Sequence, residues 1–222
     1  MQPTPTTEPG ASAGEGRVFE VAIGATFTAD LIRPAVAYWL GELGIPHRVT
    51  LAGYGQLSQE LLRHDGAFAG ARGGAAVALV RIGDFARGVK GGRADLEGAL
   101  RRGALDFISY AGAFSRKEGA PPLLVCLCPE PRATLDDPAR AALIHELGQT
   151  IRGSLGALPG VLPIAGSELF SAYPVRDYED VHADELGHIP YTPVFSTVIG
   201  TTIARKLRAL VDSPPKVVAV DC

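Results

Sequence analysis

The sequence has 222 residues, 46% hydrophobic and 20% charged, with 21 basic and 24 acidic side chains and a formal net charge of −3. That is enough apolar material for one large core, and no block of like charge is present to track a phosphate backbone or an anionic membrane surface. Nucleic acid is not expected as a partner, and no apolar run reaches the roughly 18 residues that a membrane span needs.

Residues 1–16, MQPTPTTEPGASAGEG, lack the basic start and apolar centre of a signal peptide, and their Pro, Thr, Gly and Ser content predicts a disordered tail. Globular patterning begins at residue 17. FEVAIG reads as a first strand. ADLIRPAVAYWLGELG follows as a helix in which Leu31, Ala35, Tyr38, Trp39 and Leu43 approach helical spacing, with Gly44 as a left-handed cap. HRVTLAG is a second strand, QLSQELLRH a short helix, AAVALVRI a third strand and ADLEGALRRGALDFISYAGAF a long helix. GARGG and GVKGGR read as surface connections.

PPLLVCLC is a fourth strand, and alternation puts Cys126 and Cys128 on one face of it, where a disulfide between them would be strained. Both are expected as buried free thiols, which suits a reducing, cytoplasmic compartment. Asp137 and Pro138 supply the cap and first turn of the helix that follows, DDPARAALIHELGQTIRGSLGAL. GVLPIA is a fifth strand and SELFSAY a short helix. PVRDYEDVHADELGHIPYTP is a polar loop of about 20 residues before a final helix, PVFSTVIGTTIARKLRAL. KVVAVDC, at 216–222, reads as a sixth strand. Strands alternating with amphipathic helices predict a parallel sheet covered on both faces, a three-layer α/β fold.

The long loop gathers Asp184, Glu185, His188 and Tyr191 just before a helix. Loops at the strand ends of an open α/β sheet meet the site crevice, and a carboxylate beside an imidazole fixes its tautomer and raises its basicity. Asp184 and His188 are therefore candidates for orienter and base, the alternative being a histidine that satisfies backbone groups in a rigid turn. DELGH has the length of the zinc-protease HExxH pattern. Asp184 replaces the first histidine, however, and Gly187 and Pro190 oppose a continuous helix, so no metal is expected at His182 and His188.

In GATFTAD, residues 24–30, Thr26, Thr28 and Asp30 stand at a strand-to-helix junction, where they either cap the helix or touch a ligand. Arg81 and Asp84 end the third strand and point toward the same crevice, either to bind a ligand or to tether the loop as an ion pair. No dinucleotide-binding or P-loop glycine pattern occurs.

The segments ATFTAD, AVAYWLGELG, VALVRIGDFAR, YPVRDYEDVHADELGHIPYTPVF and GTTIARKLRAL resemble successive signatures of FkbH-like proteins of polyketide and nonribosomal peptide assembly lines, the block from His182 to Leu210 being the most specific. The resemblance implies an SGNH-hydrolase-like, flavodoxin-like domain over 17–213, followed from 214 by the first strand of a haloacid-dehalogenase-type domain. KVVAVDC matches that strand and the start of its motif. By that match Asp221 would be the phosphoryl-accepting carboxylate and Cys222 the thiol that carries a glyceryl group. Because the sequence stops before the second Asp and the Thr, these residues are not expected to hold a phosphatase site. The magnesium such a site needs belongs to the absent domain, and no cofactor is expected here.

For the whole system the family implies conversion of 1,3-bisphosphoglycerate to a glyceryl unit on the phosphopantetheine thiol of an acyl carrier protein. The hydrolase likeness would put Thr26 or Thr28 where the nucleophilic serine stands and Asp184 with His188 near the Asp-His pair. Three readings follow. One is an accessory module that docks the carrier protein through a crevice lined by Thr26, Arg81, Asp84, Asp184 and His188. The second is an esterase or acyltransferase using a threonine with His188 and Asp184, and the third is a scaffold for the next domain.

Overall fold

The computed structural model describes residues 18–211. Strands β1 (Phe19–Ala25), β2 (His47–Leu51), β3 (Ala75–Val80), β4 (Leu123–Leu127) and β5 (Val161–Ile164) form one parallel sheet in the order β2-β1-β3-β4-β5. Around it lie α1 (Arg33–Glu42), α2 (Leu57–Leu62), α3 (Ala67–Gly70), α4 (Arg93–Ser115), α5 (Arg132–Leu135), α6 (Pro138–Gly156), α7 (Gly166–Ala172), α8 (Val181–Gly187) and α9 (Pro193–Val211). The expected α/β architecture is present. The expected tail 1–16 and the sixth apolar run, with Asp221 and Cys222, lie outside the described residues.

All residues of β3, AAVALV, are buried, because both faces of the sheet are covered and both sets of alternating side chains must be apolar. Ala76, Ala78 and Val80 belong to a core shared with α2, α4 and α6, and Val77 and Leu79 to a second core with α1 and α9. Cys126 and Cys128 fall in that second core as buried free thiols. The Asp137 side chain accepts from Ala139 and Arg140 N–H at 3.0 and 3.2 Å, with Pro138 in the first turn of α6.

Two details of the first helix differ from expectation. The face turned to the core is Ile32, Val36 and Leu40, spaced by four, while Leu31, Tyr38 and Trp39 are exposed. Trp39 instead lays its indole N–H on Thr201 Oγ1 of α9 at 2.9 Å. Neither Thr28 nor Asp30 caps the helix; the cap position is Ile32, without a side-chain bond. Gly44 does take the left-handed conformation, φ 67°, that closes α1.

The long polar segment is not a bare loop, since it contains α8. Asp180 caps that helix by accepting from Ala183 N–H at 2.9 Å, and His188 ends it in the left-handed conformation, φ 54°. Among the described residues no helix is long and apolar enough to cross a membrane.

Candidate functional site

In this strand order the chain leaves β1 toward one side of the sheet and β3 toward the other, so a crevice opens where their carboxyl ends diverge. Thr26 stands just past β1, its N–H still paired with Leu79 carbonyl at 3.0 Å. Arg81 stands just past β3, followed by a 3-10 turn over Ile82–Ala86 that carries Asp84. Across the crevice lies α8. It is pinned there by Thr28, whose hydroxyl donates to Gly187 carbonyl at 2.7 Å and whose N–H donates to His188 carbonyl at 2.8 Å.

These elements converge on one ion network. Arg81 Nε donates to Asp84 Oδ1 at 2.8 Å, while Nη1 and Nη2 donate to Asp184 Oδ2 and Oδ1 at 2.6 and 3.1 Å. Thr26 Oγ1 donates to Asp84 Oδ2 at 2.9 Å and accepts the Arg81 backbone N–H at 3.0 Å. Arg87 adds a second guanidinium to Asp84 Oδ1 at 2.6 Å and donates to Tyr54 Oη at 2.9 Å. The side chains of Arg81 and Asp84 are each 6% exposed, so their charges are compensated by each other rather than by water. Burial alone would lower the Arg81 pKa, but its hydrogen bonds to Asp184 and Asp84 outweigh that and raise it.

The cleft above this network holds about 460 Å³ and is lined by Arg81, Asp84, Arg87, Arg140, Asp184, Glu185 and His188, among others. Most of its charges are already paired. Glu179 is met by Arg132 N–H at 2.9 Å, and Asp180 caps α8. The Arg140 guanidinium, by contrast, makes no hydrogen bond or salt bridge among the described residues and feels only the more distant carboxylates of Glu130 and Asp137.

The structure thus gathers Thr26, Arg81, Asp84, Glu185, Asp184 and His188, but not in the arrangement of a hydrolytic triad. The Asp184 carboxylate is held by Arg81, not by the His188 imidazole. The His188 ring stacks on Tyr54, centroids 5.1 Å apart at 7°, and makes no hydrogen bond among the described residues. The Thr28 hydroxyl serves the end of α8. Tyr191, grouped with the ligand-facing residues on sequence, is instead 2% exposed and donates its hydroxyl to Pro129 carbonyl at 2.7 Å, where it anchors the segment after α8. Burial holds its phenol and the Cys128 thiol well above their usual ranges, so neither is an anion near neutral pH. The ion pair between Arg81 and Asp84, one of the two roles considered for them, is present. Among the described residues no cluster of three or more His, Cys, Asp or Glu side chains is placed to hold a metal.

Sequence reading missed Tyr54, Arg87, Arg140 and Glu130. Glu130 follows β4 as Arg81 follows β3, and a charged residue ending an apolar run was the available signal. It is 5% exposed, accepts Gly83 N–H through Oε1 at 2.9 Å and has no partner for Oε2. Burial pushes its carboxyl up to about 7 despite that N–H donor. A Cβ at position 83 would stand 2.5 Å from Oε2, so this turn accepts only glycine without moving Glu130.

Two solved structures share this architecture. The N-terminal part of protein BF1531 from Bacteroides fragilis, containing a phosphatase domain complexed with Mg, superposes with a TM-score of 0.65 at 14% identity over 83% of this chain. This chain spans 50% of that N-terminal part. A lipase/acylhydrolase from Enterococcus faecalis matches with a TM-score of 0.56 at 12% identity, over 87% of this chain and 97% of the other. The fold is shared with a lipase/acylhydrolase. At these identities the likeness establishes architecture alone. No protein-family model matches the sequence, and no curated protein matches it significantly.

Proposed function

We propose that this chain is a cytoplasmic binding module of an FkbH-like system, one that docks an acyl carrier protein and receives its phosphopantetheine arm in the cleft between the 82–86 turn and α8. The observation that carries this reading is the closed network at the place where a hydrolase keeps its nucleophile. Thr26 Oγ1 is wedged between Asp84 and the Arg81 N–H, and Asp184 is held by Arg81. A hydroxyl attacks an ester only when a base takes its proton, and among the described residues no base other than the ion-paired Asp84 lies within hydrogen-bond reach of Thr26. What remains is a polar recess lined by Arg140, whose guanidinium makes no hydrogen bond among the described residues and is suited to the phosphate of such an arm.

The likeness to the N-terminal part of BF1531, which contains a phosphatase domain and of which this chain spans half, supports a partner domain that performs the chemistry. Magnesium would belong to that domain and glyceryl transfer would occur there. The test is calorimetric titration with holo and apo forms of a cognate carrier protein. Tighter binding of the holo form supports the reading, and absence of binding by both forms overturns it.

A second reading, an esterase or acyltransferase, is favoured by the shared fold and by Thr26 occupying the first loop after β1. It requires Asp184 to leave Arg81 and His188 to leave Tyr54. Ester turnover that is lost in His188→Ala would support it.

A further inference from the structure

A second, larger recess opens on the other side of β4, at the carboxyl ends of β4 and β5, between α6 and α7. It holds about 920 Å³ against about 460 Å³ for the polar cleft. Its floor is Ile82, Leu127 and Ile144, all buried, and small residues such as Ala141, Ala142 and Gly148 on α6 keep it open. Pocket-forming space of this size lined by aliphatic and aromatic groups is where apolar ligands bind in α/β folds.

The polar groups of the recess are arranged by depth. His145, Gln149 and Arg152 recur at intervals of four and three along α6, which puts them on one exposed face at the rim. Among the described residues of its lining, the acidic and basic side chains are Arg152, His145 and Glu130. The Arg152 guanidinium makes no hydrogen bond among the described residues. Glu168, an acid that Arg152 influences, is already held by Lys206 Nζ at 2.8 Å and by Ala165 N–H at 3.0 Å. Glu130 is buried, and with its carboxyl pushed up to about 7 much of it is neutral near neutral pH, so it does not oppose an apolar chain with a full charge.

We propose that the groove between α6 and α7 binds a single-chain amphiphile, an alkyl or acyl chain lying on Ile82, Leu127 and Ile144 with an anionic head group at Arg152 and His145. Charge complementarity decides the head group, since the rim carries the Arg152 guanidinium and Glu130, the one acid among the described lining residues, lies buried beneath it. This site is separate from the polar cleft and does not depend on carrier docking there.

The experiment is calorimetric titration of the full chain with octanoate, octylammonium and octanol, in wild type, Arg152→Glu and Ala142→Phe. Octanoate is expected to bind most tightly, to weaken about tenfold in Arg152→Glu, as loss and reversal of one charge contact predicts, and to lose binding in Ala142→Phe, which fills the groove. Arg152 is exposed, so its replacement leaves the core intact even if Ala142→Phe misfolds. Octylammonium binding as tightly as octanoate, octanoate binding indifferent to Arg152→Glu, or no binding by any probe would overturn the proposal. So would a dimer dissociated by Ala142→Phe in a chain that ignores octanoate, because a second copy would then occupy the groove.

Discussion

Arg81 grips Asp184 with two hydrogen bonds, at 2.6 and 3.1 Å, and so ties the end of β3 to a helix 103 positions later in the chain. The same guanidinium holds Asp84, and through it Thr26 and Arg87. Removing this one cation strips Asp184 of its guanidinium and leaves the buried Asp84 to Arg87 and Thr26 alone. Arg81→Met is expected to cost about 3–5 kcal/mol, the range for breaking a buried pair from one side. Urea unfolding measures it. A cost under about 1 kcal/mol would mean that the cluster is open to water in solution.

Thr26→Val strands Asp84 Oδ2 and the Arg81 N–H, and is expected to destabilise by about 1–3 kcal/mol. Thr26→Ser retains both bonds and should cost less. Because His188 is not coupled to position 26, the serine variant should turn over 4-nitrophenyl acetate no faster than the buffer blank. Turnover by Thr26→Ser that vanishes with His188→Ala would reinstate the esterase reading.

His188 combines a left-handed backbone with a ring stacked on Tyr54. Alanine and glycine both lose the stack, but only alanine keeps the steric cost of φ 54°. His188→Gly is therefore expected to be more stable than His188→Ala by about 1 kcal/mol in thermal unfolding. Equal stabilities would show that α8 relaxes when the ring is gone.

Glu130 gives a pH signature of definite sign. Its carboxyl lies at about 7 in the folded chain, above its ordinary value of 4.5, so the folded state binds the proton more tightly than the unfolded state does. Its contribution to stability is complete below about 4.5 and is lost as pH rises through about 7. Glu130→Gln keeps an acceptor for Gly83 N–H without the charge. The difference in unfolding free energy, variant minus wild type, should grow by up to about 3 kcal/mol between those pH values and then level off. A difference independent of pH would place the titration elsewhere.

Architecture was legible because apolar runs and helical spacing report burial directly, as β3 and the Asp137 cap of α6 show. Which face of α1 meets the core was not legible, since Leu31, Tyr38 and Trp39 have the composition of a buried stripe while Ile32, Val36 and Leu40 have the geometry. At the site, the cluster of residues was visible from their positions at strand ends, but their partners were not. Asp184 stands near His188 in sequence, and short-range spacing suggested that pair. Arg81, far away in the chain, outcompetes an imidazole because it is always charged and offers two donors in a fork. Glu130 and Tyr54 went unnoticed for the same reason, since each has its role through contacts 47 and 33 positions away.

The location of carrier docking is tested most directly by hydrogen exchange of the chain alone, with apo carrier protein and with holo carrier protein. Slower exchange at residues 82–87 and 179–190 with the holo form, and not with the apo form, is the predicted result. Equal exchange in all three samples, or protection confined to segments away from the cleft, would contradict carrier docking at this site.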